Sequence, residues 1–333
     1  MQVKHTSRWR GIFTGDTSIT TVLWLSCKLA AKLCQMIRKY CFLPVSYRGV
    51  RVTGKNPREL LRAPLILTPR NFGVLQTIAG NYATLGRYVE QQLWLGRVLA
   101  FEPNDAVTRA ILAEADFEWR ADIQPLHQMI DSIRATNPAA VPRIANWWLN
   151  CALAERDATA AKDALVAARE NAINLGNDVF CNRPFVEGVI ARMAKDEDKA
   201  RLAFTSARDE QEKIVQAQPN FAPAWCVLGL IDAALGRKEE ALHEGRHAVE
   251  LLPLEKDAVR GQAMIKYLAM IAAWAGDKDL ACQQLAMGVG PPSPLSYGQL
   301  KLLPYWDPLR GDPRFEQIVA SLAPNQNVAT NGH

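Results

Sequence analysis

Apolar residues along most of this chain recur every three or four positions with polar residues between them, the period of helices that bury one face. The clearest stretch runs from Pro219 to Pro253. Trp225, Leu228 and Leu235 mark a first helix, with Gly229 where a second helix must come close. Gly236 breaks the run. A second helix, Glu239 to Leu252, follows with small Ala241 and Ala248 facing back, and Pro253 ends it. The unit is 34 residues long, and the same spacing separates Pro69 from Pro103. There Leu75, Ile78, Ala79 and Tyr82 form one face, Leu85-Gly86-Arg87-Tyr88 form the turn, and Leu95 and Val98 face back.

Elsewhere the pattern is looser but of the same kind. Asp105 can N-cap a helix to Arg120, and Asp122 can cap the next, with Pro125 in its first turn and Asn137-Pro138 at its end. Pro142 to Glu155 carries Ile144, Trp147, Trp148, Cys151 and Leu153. Arg156-Asp157 turns, and Thr159 to Leu175 returns with Ala160, Ala164, Leu165 and Ala168. Asn182 to Ala194 and Glu197 to Gln218 form another pair, with Gly188, Ala200, Phe204 and Ala207 at its seam. Asp257 to Ala275, Gly276-Asp277 and a short helix with Leu280, Ala281 and Leu285 bring the expectation to six helix pairs. Gly288-Val289-Gly290-Pro291-Pro292-Ser293-Pro294 then interrupts the array. Asp307-Pro308 and Asp312-Pro313 each combine an N-cap with a first-turn proline, predicting two short helices that cap the last pair. The fold expected is all-α. Its divisions are a loose 1–17, a basic helix and connector over 18–66, an array over 67–289, a cap over 290–323 and a disordered tail over 324–333.

In length and punctuation the 34-residue units resemble tetratricopeptide (TPR) repeats. Residues 67–323 are similar, more specifically, to the repeat region that follows the catalytic domain of many bacterial serine/threonine protein kinases. The residues that carry this are Ala233-Ala234-Leu235-Gly236-Arg237-Lys238-Glu239-Glu240-Ala241, Trp274-Ala275-Gly276-Asp277-Lys278-Asp279-Leu280-Ala281 and Pro304-Tyr305-Trp306-Asp307-Pro308-Leu309-Arg310-Gly311-Asp312-Pro313-Arg314-Phe315. The resemblance implies a right-handed α-solenoid of about six pairs. It also implies a non-catalytic scaffold or regulatory module in signalling that holds a partner protein or peptide in the concave groove lined by first helices. The groove residues so implied are Gln76 and Thr77, with Gly80 and Thr84; Glu114 and Phe117, with Ala110; Cys226 and Leu230, with Ala233; and Lys266, Tyr267, Met270 and Trp274. The last two sets make an apolar strip with one cation, suited to an apolar peptide or to the chain's own C-terminal cap. The Lys/Asn carboxylate clamp of chaperone-binding TPR proteins is not evident. Gln91 stands where such repeats usually have a small residue, so that pair is expected to pack less tightly. Kinase activity is not implied. There is no glycine-rich nucleotide loop, no His-Arg-Asp and no Asp-Phe-Gly, and residues 1–66 are far too short for a kinase domain.

Charge changes the picture at one end. Residues 1–62 hold 12 Lys/Arg against two acids, Asp16 and Glu59, while the remainder holds 27 basic and 32 acidic residues. The body is thus mildly acidic, which argues against a nucleic-acid partner. Residues 18–43 read as a strongly apolar helix whose polar stripe is Lys28, Lys32, Gln35 and Lys39. The expected role is a cap on the first repeats. The alternative is a membrane-associated adaptor held at an anionic surface by this helix. Its longest uncharged run, Thr17 to Cys27, falls short of the ~20 residues that span a bilayer. Seven scattered cysteines without a CxxC read as reduced thiols in a cytoplasmic protein.

One catalytic pattern occurs. His243-Glu244-Gly245-Arg246-His247 fits HExxH, which would imply a zinc hydrolase with Glu244 as base. The repeat register argues otherwise, because Ala241 and Ala248 are the packing positions and His243, Glu244 and His247 should then point outward. No GxSxG, Walker A or GxGxxG occurs. The expectation is therefore no catalysis, no cofactor and no metal.

Overall fold

The computed structural model describes residues 72–169 and 173–324. Twelve helices in six successive pairs make up most of it. They are α1 (Phe72–Thr84) with α2 (Tyr88–Phe101), α3 (Ala106–Arg120) with α4 (Gln124–Thr136), and α5 (Val141–Glu155) with α6 (Ala158–Ala168). They continue with α7 (Arg183–Met193) and α8 (Glu197–Ala217), α9 (Ala222–Ala234) and α10 (Lys238–Leu251), and α11 (Ala258–Trp274) and α12 (Lys278–Gly288). A terminal segment adds α13 (Tyr297–Leu302), a 3-10 helix (Pro304–Leu309) and α14 (Pro313–Leu322). The described chain is all-α apart from one small hairpin.

The boundaries follow from local chemistry. Asp105, Asp157, Asn182, Asp196, Asp257 and Asp277 accept hydrogen bonds from backbone N–H groups that open a helix. The turns of the first, fifth and sixth pairs close on Gly86, Gly236 and Gly276 at φ of 68°, 80° and 82°, where a residue with a Cβ is strained. Each helix packs on the next in sequence, and first helices also meet first helices, α3 on α5 and α9 on α11. One core of buried side chains runs from Ala106 to Val319.

Two expectations are corrected. The return helix of the third pair stops at Ala168, not Leu175, with Arg169 at positive φ. Two short antiparallel strands follow, β1 (Ile173–Asn174) and β2 (Phe180–Cys181), with Ile173 opposite Cys181. Gly176, Asn177 and Asp178, all at positive φ, turn the chain between them. Asp307 does not N-cap a helix. It lies inside the 3-10 helix, where its carboxylate accepts from Arg310 and from Arg156. Asp312 does cap α14, accepting from the Arg314 N–H. Among the described residues no helix is long and apolar enough to cross a membrane. Residues 18–43 lie outside the described residues.

Candidate functional site

The face built by the first helices of the pairs is where a groove was expected. Thr77 in α1 is exposed, and its hydroxyl donates to the Gly73 carbonyl at 2.9 Å. Half-buried Gln76 donates to the Thr108 hydroxyl at 2.7 Å, tying α1 to α3. Glu114 and Trp274 are half-buried. Phe117, Cys226, Leu230, Lys266, Tyr267 and Met270 are each less than 5% exposed. They form the floor of a closed surface rather than an open groove.

Two pieces of the chain itself close it. Residues 293–309 cross the face from the first pair to the sixth. The Ser293 N–H donates to the Thr84 carbonyl at the end of α1. Helix α13 lies on α3, and a Cβ at Gly298 would run into the Phe117 carbonyl oxygen, so a residue other than glycine cannot sit there unless the segment lifts. Further on, Trp274 Nε1 donates to the Tyr305 carbonyl at 2.8 Å, and the indole stacks between Phe185 and Tyr305. The second piece is the hairpin turn. Tyr267 donates its hydroxyl to the Gly176 carbonyl at 2.8 Å, and Asn177 accepts from Lys266 at 3.2 Å.

A polar cluster sits where these pieces meet. Gln299 is held from both sides. Its carbonyl oxygen accepts from Lys266 Nζ at 2.9 Å, and its amide nitrogen donates to both Glu118 oxygens at 2.9 and 3.1 Å. A donor and an acceptor so placed read one primary carboxamide, a group that offers both functions at its tip. Glu114 stands one helical turn before Glu118 and accepts from Trp147 Nε1 at 2.8 Å. Burial pushes the Glu114 carboxyl up to about 8, with the Glu118 charge adding to it. Burial also raises Glu118, against the hydrogen bonds of Gln299 and Ser296 and the charge of Lys266. Burial brings Lys266 down to about 8, opposed by Glu118.

Sequence reasoning placed Glu114, Phe117, Lys266, Tyr267 and Trp274 here and missed the groups that meet them. Glu118 had a signal, the i,i+4 spacing from Glu114 on one face. The turn residues Gly176-Asn177-Asp178 had one too, in their left-handed preference between apolar runs. Nothing local marks Gln299 as the partner of Glu118, 181 residues away.

Of the HExxH residues, the two histidines share an outer face and Glu244 does not. His243 is exposed, and its ring stacks on that of His247 at 6.4 Å, with the edge of Trp225 against His247 at 4.7 Å. Glu244 was expected outside with them but is buried, 7% exposed, beside fully buried Asp232. Burial first, then the Asp232 charge, pushes its carboxyl up to about 8. Asp232 Oδ2 and Glu244 Oε2 have no hydrogen-bond partner elsewhere among the described residues, and a hydrogen bond donated by the protonated Glu244 carboxyl to the Asp232 carboxylate satisfies both. Arg208 balances the pair, its Nε 2.7 Å from Asp232 Oδ1. Among the described residues no third ligand gathers with His243 and His247. The chain matches no known family model and shows no significant similarity to any curated protein.

Proposed function

We propose that this chain is a non-catalytic interaction module, a tetratricopeptide-type right-handed solenoid of six helix pairs whose first-helix face binds a polypeptide segment. The observation that carries this reading is that the face already holds one. Residues 293–309 are seated by side-chain-specific contacts, with Gly298 against the Phe117 carbonyl and Gln299 between Glu118 and Lys266. A surface that fixes a glycine by close approach and a carboxamide by a paired acid and cation has the chemistry of peptide recognition. A partner suited to it presents a small residue followed by Gln or Asn, flanked by apolar side chains, and replaces the chain's own segment.

The full chain with Gly298→Val tests this, because the added side chain forces the segment off α3. A labelled peptide spanning residues 293–310 should bind the variant and not the wild type. Adding Lys266→Met should weaken that binding about tenfold, or about 1.4 kcal/mol. A folded Gly298→Val protein that ignores the peptide would sink the reading.

A further inference from the structure

One cluster outside that face gathers three ligand chemistries from two helices. His127 lies in the first turn of α4, and Cys151 and Glu155 lie one helical turn apart near the end of α5, which packs on α4. A ligand atom of each of the three lies within 4.8 Å of the other two. His127 Nδ1 is 2.8 Å from Glu155 Oε1, and its Nε2 is 3.3 Å from Asp131 Oδ2. Cys151 is a free thiol, 2% exposed, at the inner wall of the cluster. His127 is 46% exposed at its outer side.

We propose that His127, Cys151 and Glu155 bind a zinc-class divalent cation, with Asp131 orienting the imidazole and water in the fourth position. Metal–ligand distances of about 2.0–2.3 Å set tetrahedral ligand–ligand separations of about 3.3–3.6 Å, which side-chain shifts of an ångström or less bring about here. A thiolate and a carboxylate neutralise the dication, and imidazole with thiolate suits a borderline-soft metal. Asp131 already lies on the second ring nitrogen, the usual place of a carboxylate that fixes a metal-bound histidine. It is itself paired with Arg134 at 3.1 Å, which keeps it pointed at the ring. No HxxxH or CxxC marks this place, because His127 lies 24 and 28 residues before Cys151 and Glu155 and meets them only through the packing of α4 on α5. Bound metal would join the second helix pair to the third.

The experiment uses the reduced full chain, titrated with Zn(II) and with Co(II) against a competing chelator. One tight equivalent is expected, with a thiolate-to-Co(II) charge-transfer band and a rise in Tm on adding zinc. His127→Gln, at an exposed position that leaves the core intact, should abolish the Tm rise and weaken binding at least tenfold. Cys151→Ala should remove the charge-transfer band. Asp131→Asn should weaken binding about tenfold. The double variant His243→Gln/His247→Gln should change nothing. Absence of tight binding, binding that His127→Gln leaves unaltered, or a band that survives Cys151→Ala overturns the proposal.

Discussion

The fifth pair, α9 with α10, and the first pair, α1 with α2, match residue for residue 150 positions apart, from helix lengths to the turn glycines Gly236 and Gly86. Their seams differ. In the fifth pair Ala241, Gly245 and Ala248 face back, and in the first Gln91, Leu95 and Val98 occupy the same three positions. The small seam lets the next pair come in. A Cβ on Gly229 would lie 2.8 Å from Ile271 and 3.1 Å from the Ala241 carbonyl, and one on Gly245 would lie 2.9 Å from Leu268. In the first pair the larger side chains fill their own seam, and Gln91 is buried there with its Oε1 unpartnered. The outward positions differ as well. Val89 and Leu93 are exposed in α2 where Glu239 and His243 are exposed in α10. Turn chemistry thus sets the length and reversal of a pair, while seam volume sets how closely its neighbour packs.

Exchanging seam residues should break the comparison most. Ala241→Gln places the first pair's residue in a seam closed by backbone and by Ile271. It should cost about 4 kcal/mol, from overpacking and a desolvated carboxamide together. Gly229→Ala should cost about 2 kcal/mol, because Ile271 can rotate away but the Ala241 carbonyl cannot. Urea unfolding reads both. A cost below about 1 kcal/mol for Ala241→Gln would show that seam volume does not control this pair.

Much of this was legible in the sequence, and the physics says which part. Pro219–Pro253 and Pro69–Pro103 gave helix limits and turns because caps, glycines and prolines act locally. Gln91 stood out in the sequence for the same reason, one residue against a repeating pattern, and it is buried with its Oε1 unpartnered. The outward direction assigned to Glu244 was not correct. Packing positions place a helix face only to within a residue or so, and Gly245 beside it let α11 approach far enough to bury that edge. The expected helix over Thr159–Leu175 overlaps only the first strand of the hairpin, and the Ala-rich run behind it stops at Ala168, with Arg169 at positive φ. The closure of the first-helix face rests on Gly298 and Gln299 meeting α3 across nearly 200 residues, and no local pattern encodes that distance.

The buried acid pair sharpens the comparison by pH, since Tyr82 and Trp94 stand in the first pair where Asp232 and Glu244 stand in the fifth. The folded state raises Glu244 to about 8, above its ordinary 4.5. A raised acid is protonated in both states below about 4.5, so its stability contribution is fully present there. That contribution is lost as pH rises toward 8, while the unfolded chain releases a proton the folded chain keeps. Glu244→Gln has no such proton to hold. Relative to wild type it should gain stability across pH 4.5 to 8, by about 1.4 kcal/mol per pH unit at the steepest, and level off above. A difference that stays flat with pH would mean that Glu244 is ionised inside the fold.

The smallest expected effect lies in the first pair and is a gain, opposite in sign to the seam exchanges in the fifth. Gln91 is 5% exposed, and its unpartnered Oε1 forfeits a hydrogen bond to water without gaining one in the fold. Methionine has nearly the same volume and flexibility and no group to desolvate, so the seam need not repack. Gln91→Met should therefore raise stability by about 1 kcal/mol, seen as a higher urea midpoint at unchanged slope. The same side chain at the matched position, Ala241→Met, should lower it, because there the volume and not the polarity is in excess. If both substitutions shift the midpoint the same way, the two seams do not differ in free volume and the close approach of α11 has another cause.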